Sequence, residues 1–121
     1  MLHSYKELIV WQKSIDLGVK VYSITENFPR DEIYGLTSQM RRAAISISSN
    51  IAEGRTRGSK LEFIHFLNIA HGSCAELESQ VFIAKKLTFS RGLNFDEIEK
   101  NIQEILLMLS VMISKLRNNK A

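Results

Sequence analysis

Apolar residues recur every three or four positions through most of the chain, which is the spacing of one face of an α-helix. Four segments share this pattern. The apolar face of the first segment is formed by Leu8, Trp11, Ile15, Val19 and Tyr22, and that of the second by Leu36, Met40, Ala43, Ala44, Ile47 and Ile51. The face of the third is formed by Phe63, Phe66, Leu67, Ala70, Cys74, Leu77 and Val81, and that of the fourth by Phe95, Ile98, Ile102, Ile105, Leu109, Met112, Ile113 and Leu116. No segment alternates apolar and polar residues for long enough to form a β-strand. The pattern therefore predicts four helices and no sheet, with Trp11 largely buried.

Capping residues and a few Pro and Gly residues divide the chain between these segments. Ser4 with Glu7, and Ser59 with Glu62, have the spacing of a capping box, in which a hydroxyl and a carboxylate three residues later stabilise a helix start. The predicted helices cover about residues 5–27, 36–54, 59–89 and 94–117. Short loops between long helices are typical of an up-down-up-down bundle. We therefore predict an all-α, antiparallel four-helix bundle that forms one domain over residues 1–121.

The first and third predicted helices carry a second apolar stripe beside the first one. These additional stripes include Val10, Leu17, Val21 and Ile24 on the first helix, and Leu61, Ile64, Phe82 and Phe89 on the third. A bundle helix that contacts two neighbours can bury a wide apolar face, so each stripe alone fits a core as well as an interface. Two such stripes together are harder to bury in a small bundle, and exposed apolar strips usually mark interfaces. We predict a homo-oligomer that uses these residues, although the sequence does not decide which stripe is core and which is interface.

Composition adds that the chain resembles an average globular protein with a small excess of positive charge. Of its 121 residues, 45% are hydrophobic and 24% are charged, and the formal net charge is +3. The single cysteine, Cys74, allows no intrachain disulfide, which fits a reducing compartment, so we expect a cytoplasmic protein. The longest stretch without Lys, Arg, Asp or Glu is residues 63–75, and residues 105–114 form another long one. Both are shorter than the ~20 residues that a membrane span needs, so we expect no membrane partner.

Two residue pairs have spacings that also occur at reactive sites. Glu62 and His65 are three residues apart, as ligands of di-iron bundles are, but the sequence lacks the second motif that such a site needs. We therefore interpret them as a surface pair. His71 and Cys74 have the same spacing and could form a thiolate–imidazole pair, but the small residues around Cys74 favour close helix packing instead. Since no phosphate loop or nucleophile motif occurs either, we predict no catalytic residue, metal, cofactor or small-molecule substrate.

Positive charge is concentrated at one end of the predicted bundle. The topology places the chain termini and the loop between the second and third helices at the same end. The cations of this end are Lys6, Arg55, Arg57, Lys60, Lys115, Arg117 and Lys120. The carboxylates of Glu7, Glu53 and Glu62 oppose them, and Glu53 either pairs with Arg55 or Arg57 or forms a hydrogen bond within the bundle or at an oligomer contact.

A charged, solvated end is the simpler interpretation for a single copy of the chain. Several copies side by side in a ring would instead present a surface that attracts phosphate backbones without reading bases. Arg41 and Arg42 form a basic pair on the outside of the second helix and are a second candidate surface.

Four segments of the sequence resemble those of a known bacterial family. They are VWQK at 10–13, YGLTSQMRRAA at 34–44, SISSNIAEG at 46–54 and IAHGSCAELE at 69–78. The chain is similar over nearly its whole length to the four-helix bundle proteins called 23S rRNA-intervening-sequence proteins, or S23-type proteins. The family pattern usually has Pro where this chain has Ser48, a change that is expected to straighten or stabilise that part of the second helix.

The resemblance implies small antiparallel bundles that assemble as homopentameric rings, some of them encoded within insertions in 23S rRNA genes. A related branch, the accessory proteins of diversity-generating retroelements, binds nucleic acid and a reverse transcriptase through basic surfaces. The family supplies no catalytic residues to transfer. From the residues and the resemblance together, we predict a non-enzymatic ring that binds RNA or DNA backbones without sequence specificity. The alternative is a protein–protein scaffold that has no nucleic-acid partner.

Overall fold

The computed structural model describes residues 4–118, which form four helices joined by short turns. The helices are α1 (Ile9–Thr25), α2 (Leu36–Thr56), α3 (Lys60–Lys86) and α4 (Asp96–Asn118). Single turns of 3₁₀-helix cover Tyr5–Glu7, Arg30–Glu32 and Thr88–Ser90. Each helix packs against the next one in the chain, and α1 also packs against α4. With no β-strand anywhere in residues 4–118, the predicted all-α four-helix bundle is confirmed.

The helix ends explain where the structure differs from the predicted boundaries. The Ser59 hydroxyl accepts a hydrogen bond from the Glu62 amide at 3.1 Å, and α3 begins immediately after it. The Ser4 hydroxyl caps only a 3₁₀ turn, by accepting from the Lys6 amide at 3.1 Å. Because the backbone is extended at Leu8, α1 starts at Ile9 rather than at about residue 5. An extended residue, Leu87, also ends α3 earlier than predicted.

The apolar stripe of α1 that packs into the core is the one predicted to be an interface. Val10 is 1% exposed and both Leu17 and Val21 are 0% exposed, so all three are buried within the chain. Their assignment to an oligomer interface is therefore wrong, because no surface of these side chains is left for a second copy. Ile24, from the same stripe, is partly buried against the core.

The other stripe of α1 faces outward. Ile15 is more than one-third exposed and Val19 is 63% exposed, and Tyr22 lies on the same exposed face. Trp11 is partly buried against the core, and its ring makes an edge contact with Tyr5 at a centroid distance of 5.3 Å. The outward face of α1 is thus apolar along more than two helical turns.

The additional stripe of α3 is divided between the core and the surface. Ile64 and Phe89 pack against the core, and the Phe89 ring lies 4.9 Å from that of Phe28. Leu61 and Phe82 are 79% and 57% exposed. The structure therefore places two of the predicted interface residues of α3 on the surface and two of them beside the core.

The apolar faces predicted for α2, α3 and α4 form the rest of the core. Their fully buried members include Met40, Ile47, Ile51, Leu67, Leu77, Ile102, Ile105 and Leu109. The buried faces of α2 and α4 match the periodicity of the sequence because the opposite side of each helix is mostly polar. The predicted face of α3 is also buried, although this helix carries a second apolar stripe. None of the helices in the described part of the chain combines the length and the apolar character needed to cross a membrane.

Candidate nucleic-acid interface

The bundle topology brings six of the predicted cations to one end of the molecule. The ends of α2 and α4 and the starts of α1 and α3 lie there, because consecutive helices alternate in direction. We define the basic end as Lys6, Arg55, Arg57, Lys60, Lys115 and Arg117. Lys120, the seventh predicted cation, lies outside the described residues. Glu7, Glu53 and Glu62 occupy the same end, so the described cations still outnumber the carboxylates there.

Arg57 is held by contacts within the chain. Its Nε donates to Glu53 at 2.8 Å, and its Nη1 lies 3.9 Å from a Glu62 oxygen. The guanidinium also lies over the Phe66 ring, 5.1 Å from the centroid. Of the alternatives left open for Glu53, the salt bridge to Arg57 is confirmed. This arginine therefore helps to join α2 to α3, and much of its charge is already balanced.

Lys115 and Arg117 project from the last turn of α4 and are both exposed. Within residues 4–118, neither side chain takes part in an ion pair. Cations near a helix C-terminus also interact favourably with the helix dipole. These two residues are the clearest described candidates for contact with an external anion. Arg55 and Lys60 lie at the same end but interact with other residues of the chain.

The pair formed by Arg41 and Arg42 is divided by the structure. Arg41 Nε donates to the Thr25 hydroxyl at 2.9 Å, and the guanidinium lies 4.4 Å from the centroid of the Tyr22 ring. Arg41 also reaches the Tyr22 carbonyl at 3.4 Å, so it stabilises the C-terminal end of α1. Arg42 is exposed, beside a shallow depression that Ile45 also lines. Only Arg42 of this pair therefore remains a good candidate for an outside partner.

The residues of the two pairs with reactive spacing, Glu62–His65 and His71–Cys74, contact other side chains and backbone groups of the bundle. His65 is exposed and packs edge-on against Phe66 at 5.1 Å, while Glu62 lies near Arg57. No group of three or more His, Cys, Asp or Glu residues suited to a metal ion occurs in residues 4–118. Cys74 is fully buried and its thiol lies 3.7 Å from the Ile102 carbonyl. Burial, with a smaller contribution from the charge of Glu78, raises the pKa of Cys74 to about 12. Its thiol is therefore protonated at neutral pH.

A polar groove between α3 and α4 opens towards the basic end and was not predicted. It is lined by Asn68, His71, Ser110, Ile113, Ser114, Arg117 and Asn118. The His71 ring and the Ser110 hydroxyl are 3.2 Å apart across it. The sequence contains one indication of this groove, which is that residues 63–75 and 105–114 include no Lys, Arg, Asp or Glu. Only the antiparallel packing of α3 and α4 shows that these two stretches face each other.

The fold and the charge distribution define the class of this protein: an antiparallel four-helix bundle with cations gathered at one end. The model of the 23S rRNA-intervening sequence protein family matches residues 6–111, and the chain belongs to this family. It is also similar to the crystal structure of a protein of unknown function from the S23 ribosomal protein family of Bacteroides thetaiotaomicron. The TM-score is 0.79 at 23% sequence identity, over 88% of this chain and 96% of that one, which establishes a shared fold. None of the curated proteins compared with the chain matches it.

Proposed function

We propose that this chain is a non-enzymatic, cytoplasmic protein that assembles as a ring, a pentamer, and binds RNA or DNA backbones at its basic end without sequence specificity. The observation that carries the proposal is the concentration of cations at that end, with exposed Lys115 and Arg117 outside any described ion pair. Positive side chains that replace condensed counterions on a phosphate backbone gain affinity without reading bases.

Assembly would raise this weak interaction to a useful affinity. One copy offers only a few cations, whereas several copies on one ring face act at a high effective concentration on the same strand. A ring requires two different surfaces on each copy, because a head-to-tail contact closes only when unlike faces meet. The chain has exposed apolar residues on two sides of the bundle. Val19 and Ile45 lie on α1 and α2, while Leu61 and Phe82 lie on α3.

Replacing cations at the two ends of the bundle tests the proposed nucleic-acid contact. The basic-end variant carries Lys6→Gln, Lys60→Gln and Lys115→Gln, and the matched control carries Arg30→Gln, Lys86→Gln and Arg91→Gln at the opposite end. Both variants lose the same formal charge, and circular dichroism checks that both retain the helical fold. We expect labelled mixed-sequence RNA to bind the basic-end variant much more weakly than the control. Equal weakening in the two variants would contradict a localised interface.

A protein–protein scaffold is the second candidate function. It is favoured by the outer face of α4, where Leu107 and Val111 are 66% and 43% exposed. Absence of RNA and DNA binding by the native protein at low salt would support this alternative over the first proposal.

A further inference from the structure

We propose that the groove between α3 and α4 is a binding site for a phosphate group. We define the α3–α4 groove by its polar lining residues Asn68, His71, Ser110, Ser114 and Arg117. The phosphate could belong to a nucleic-acid backbone or to free phosphate, since both present the same oxygen atoms. The nucleic-acid source rests on the proposed function, whereas binding of free phosphate does not.

The α3–α4 groove combines one permanent cation with several neutral hydrogen-bond donors. Arg117 provides a guanidinium whose planar fork suits two oxygens of one phosphate group. The hydroxyls of Ser110 and Ser114 can each donate one hydrogen bond. Asn68 donates one amide hydrogen to the Ile64 carbonyl at 3.0 Å and has a second one available. The His71 Nε2 lies 3.2 Å from the Ser110 hydroxyl oxygen, and in the tautomer in which Nε2–H donates to that oxygen the hydroxyl hydrogen is free for a phosphate oxygen.

The charges around the α3–α4 groove favour an anion. No Asp or Glu occurs in residues 63–75 of α3 or in residues 105–118 of α4, which form its two walls. Two carboxylates beside this stretch of α3 have other partners: Glu62 lies near Arg57, and Glu78 accepts a hydrogen bond from the Gln103 side chain. Glu76, the first carboxylate after residue 75, is not among the residues that line the groove. An incoming phosphate therefore meets Arg117 without a competing carboxylate on the groove walls.

The shape of the site agrees with this chemistry. The α3–α4 groove has a volume of about 320 Å³ and opens to solvent, and Ile113 lines it between the polar residues. Ile113 itself is only 6% exposed, so the groove ends on the hydrophobic core. A phosphate group can thus enter from solvent and meet donors from both helices.

Titration of the whole protein with inorganic phosphate tests the site directly. We expect amide NMR signals of α3 and α4 at the groove to shift saturably with phosphate, at constant ionic strength set with chloride. Arg117→Gln should weaken phosphate binding about tenfold or more, because a hydrogen bond to a charged group is lost. Lys100→Gln is the matched control, since Lys100 is exposed on α4 outside both the groove and the basic end. The proposal fails if native protein shows no saturable shift, or if Arg117→Gln and Lys100→Gln behave alike.

A parallel titration with labelled RNA identifies the source of the phosphate. If the groove holds a backbone phosphate, Arg117→Gln should weaken RNA binding more than Lys115→Gln does, although the two variants lose the same charge. If Arg117→Gln abolishes the phosphate shifts but weakens RNA binding no more than Lys115→Gln does, the groove is a site for free phosphate. If native protein binds phosphate and no RNA, the groove proposal stands and the proposed nucleic-acid function fails.

Discussion

Single residues determine how closely the helices of this bundle approach each other. Gly54 is buried near the end of α2, where α2 crosses the start of α3. A Cβ atom at this position would lie 2.7 Å from the Cβ of Phe66 and 3.2 Å from the Phe63 ring. Because Phe66 Cβ is fixed to the α3 backbone, it cannot move aside without moving the helix. Glycine is therefore required by packing here, in a helical backbone that any residue could adopt.

We expect Gly54→Ala to lower the free energy of unfolding by about 1–3 kcal/mol, the usual cost of overpacking a core. Gly72→Ala is the matched control, because Gly72 lies in α3 and a Cβ there would have no neighbour within 4 Å. That substitution should stabilise the helix by about 0.5–1 kcal/mol. Urea unfolding of the two variants measures both effects. If Gly54→Ala were as stable as Gly72→Ala, the close crossing of α2 and α3 would be incorrect.

Cys74 is the buried thiol whose pKa is raised to about 12 in the folded chain. Between the unfolded pKa of ~8.5 and the folded value, the native state holds a proton that the unfolded chain releases, so the free energy of unfolding falls by about 1.4 kcal/mol per pH unit. Below this window the thiol contributes no pH dependence. Cys74→Ala should remove this part of the alkaline slope. An unchanged slope in Cys74→Ala, or rapid labelling of the native thiol, would contradict its burial.

At the scale of the elements, amphipathic periodicity predicts α2 and α4 well, because each has one apolar face and one polar face. It cannot orient α1, where apolar residues occupy both candidate faces. In the structure the Leu17 face is turned inward, and two polar contacts join α1 to α4 beside it: Lys20 donates to Asn101 at 2.6 Å, and Lys13 lies 3.7 Å from Glu104. The hydrogen bond from Asn101 and the charges of Lys13 and Lys100 lower the pKa of Glu104.

The buried stripe of α1 also contains polar residues whose hydrogen bonds are satisfied locally. The Ser14 hydroxyl donates to the Trp11 carbonyl at 2.7 Å, and the Thr25 hydroxyl donates to the Val21 carbonyl at 2.7 Å. A hydroxyl that bonds to its own helix can be buried at small cost. Hydrophobic periodicity treats such Ser and Thr residues as surface residues. For this reason the sequence did not show which of the two stripes of α1 is buried.

The orientation of α1 predicts stability effects of very different size for two neighbouring apolar residues. Leu17→Ala should lower the free energy of unfolding by about 2–5 kcal/mol, because it leaves a cavity in the core. Val19→Ala should change it by less than about 0.5 kcal/mol in the isolated chain, since Val19 is 63% exposed. Denaturant unfolding at low protein concentration measures both values. A larger loss for Val19→Ala than for Leu17→Ala would mean that α1 is rotated.

For the whole molecule, the topology could be predicted, but the contacts that each cationic side chain makes could not. The sequence places the cations of the basic end together because alternating helices return the chain to that end. It does not show that Arg41 contacts α1, since Thr25 and Tyr22 become its partners only when α1 and α2 pack together. The α3–α4 groove was missed for the same reason, because its walls come from separate segments.

If the chain assembles through the exposed part of α3, two substitutions by glutamate should have different effects on assembly and folding. Phe82→Glu should keep the helical fold and reduce the assembly to smaller species, because Phe82 is 57% exposed in the single chain. Val21→Glu should instead unfold the chain, because Val21 is 0% exposed. Light scattering and circular dichroism distinguish the two results. A native protein that is monomeric, or a Phe82→Glu variant with unchanged mass, would contradict an interface at this position.

The salt dependence of RNA binding is the sharpest test of a phosphate-backbone contact at the basic end. If the basic end binds phosphate backbones, the logarithm of the association constant should fall linearly with the logarithm of the salt concentration. Three phosphate contacts on a single strand correspond to a slope of about −2, and several copies acting together should give a steeper slope. We expect such a slope with little difference between RNA sequences. No binding at low salt, or affinity that is independent of salt, would contradict it.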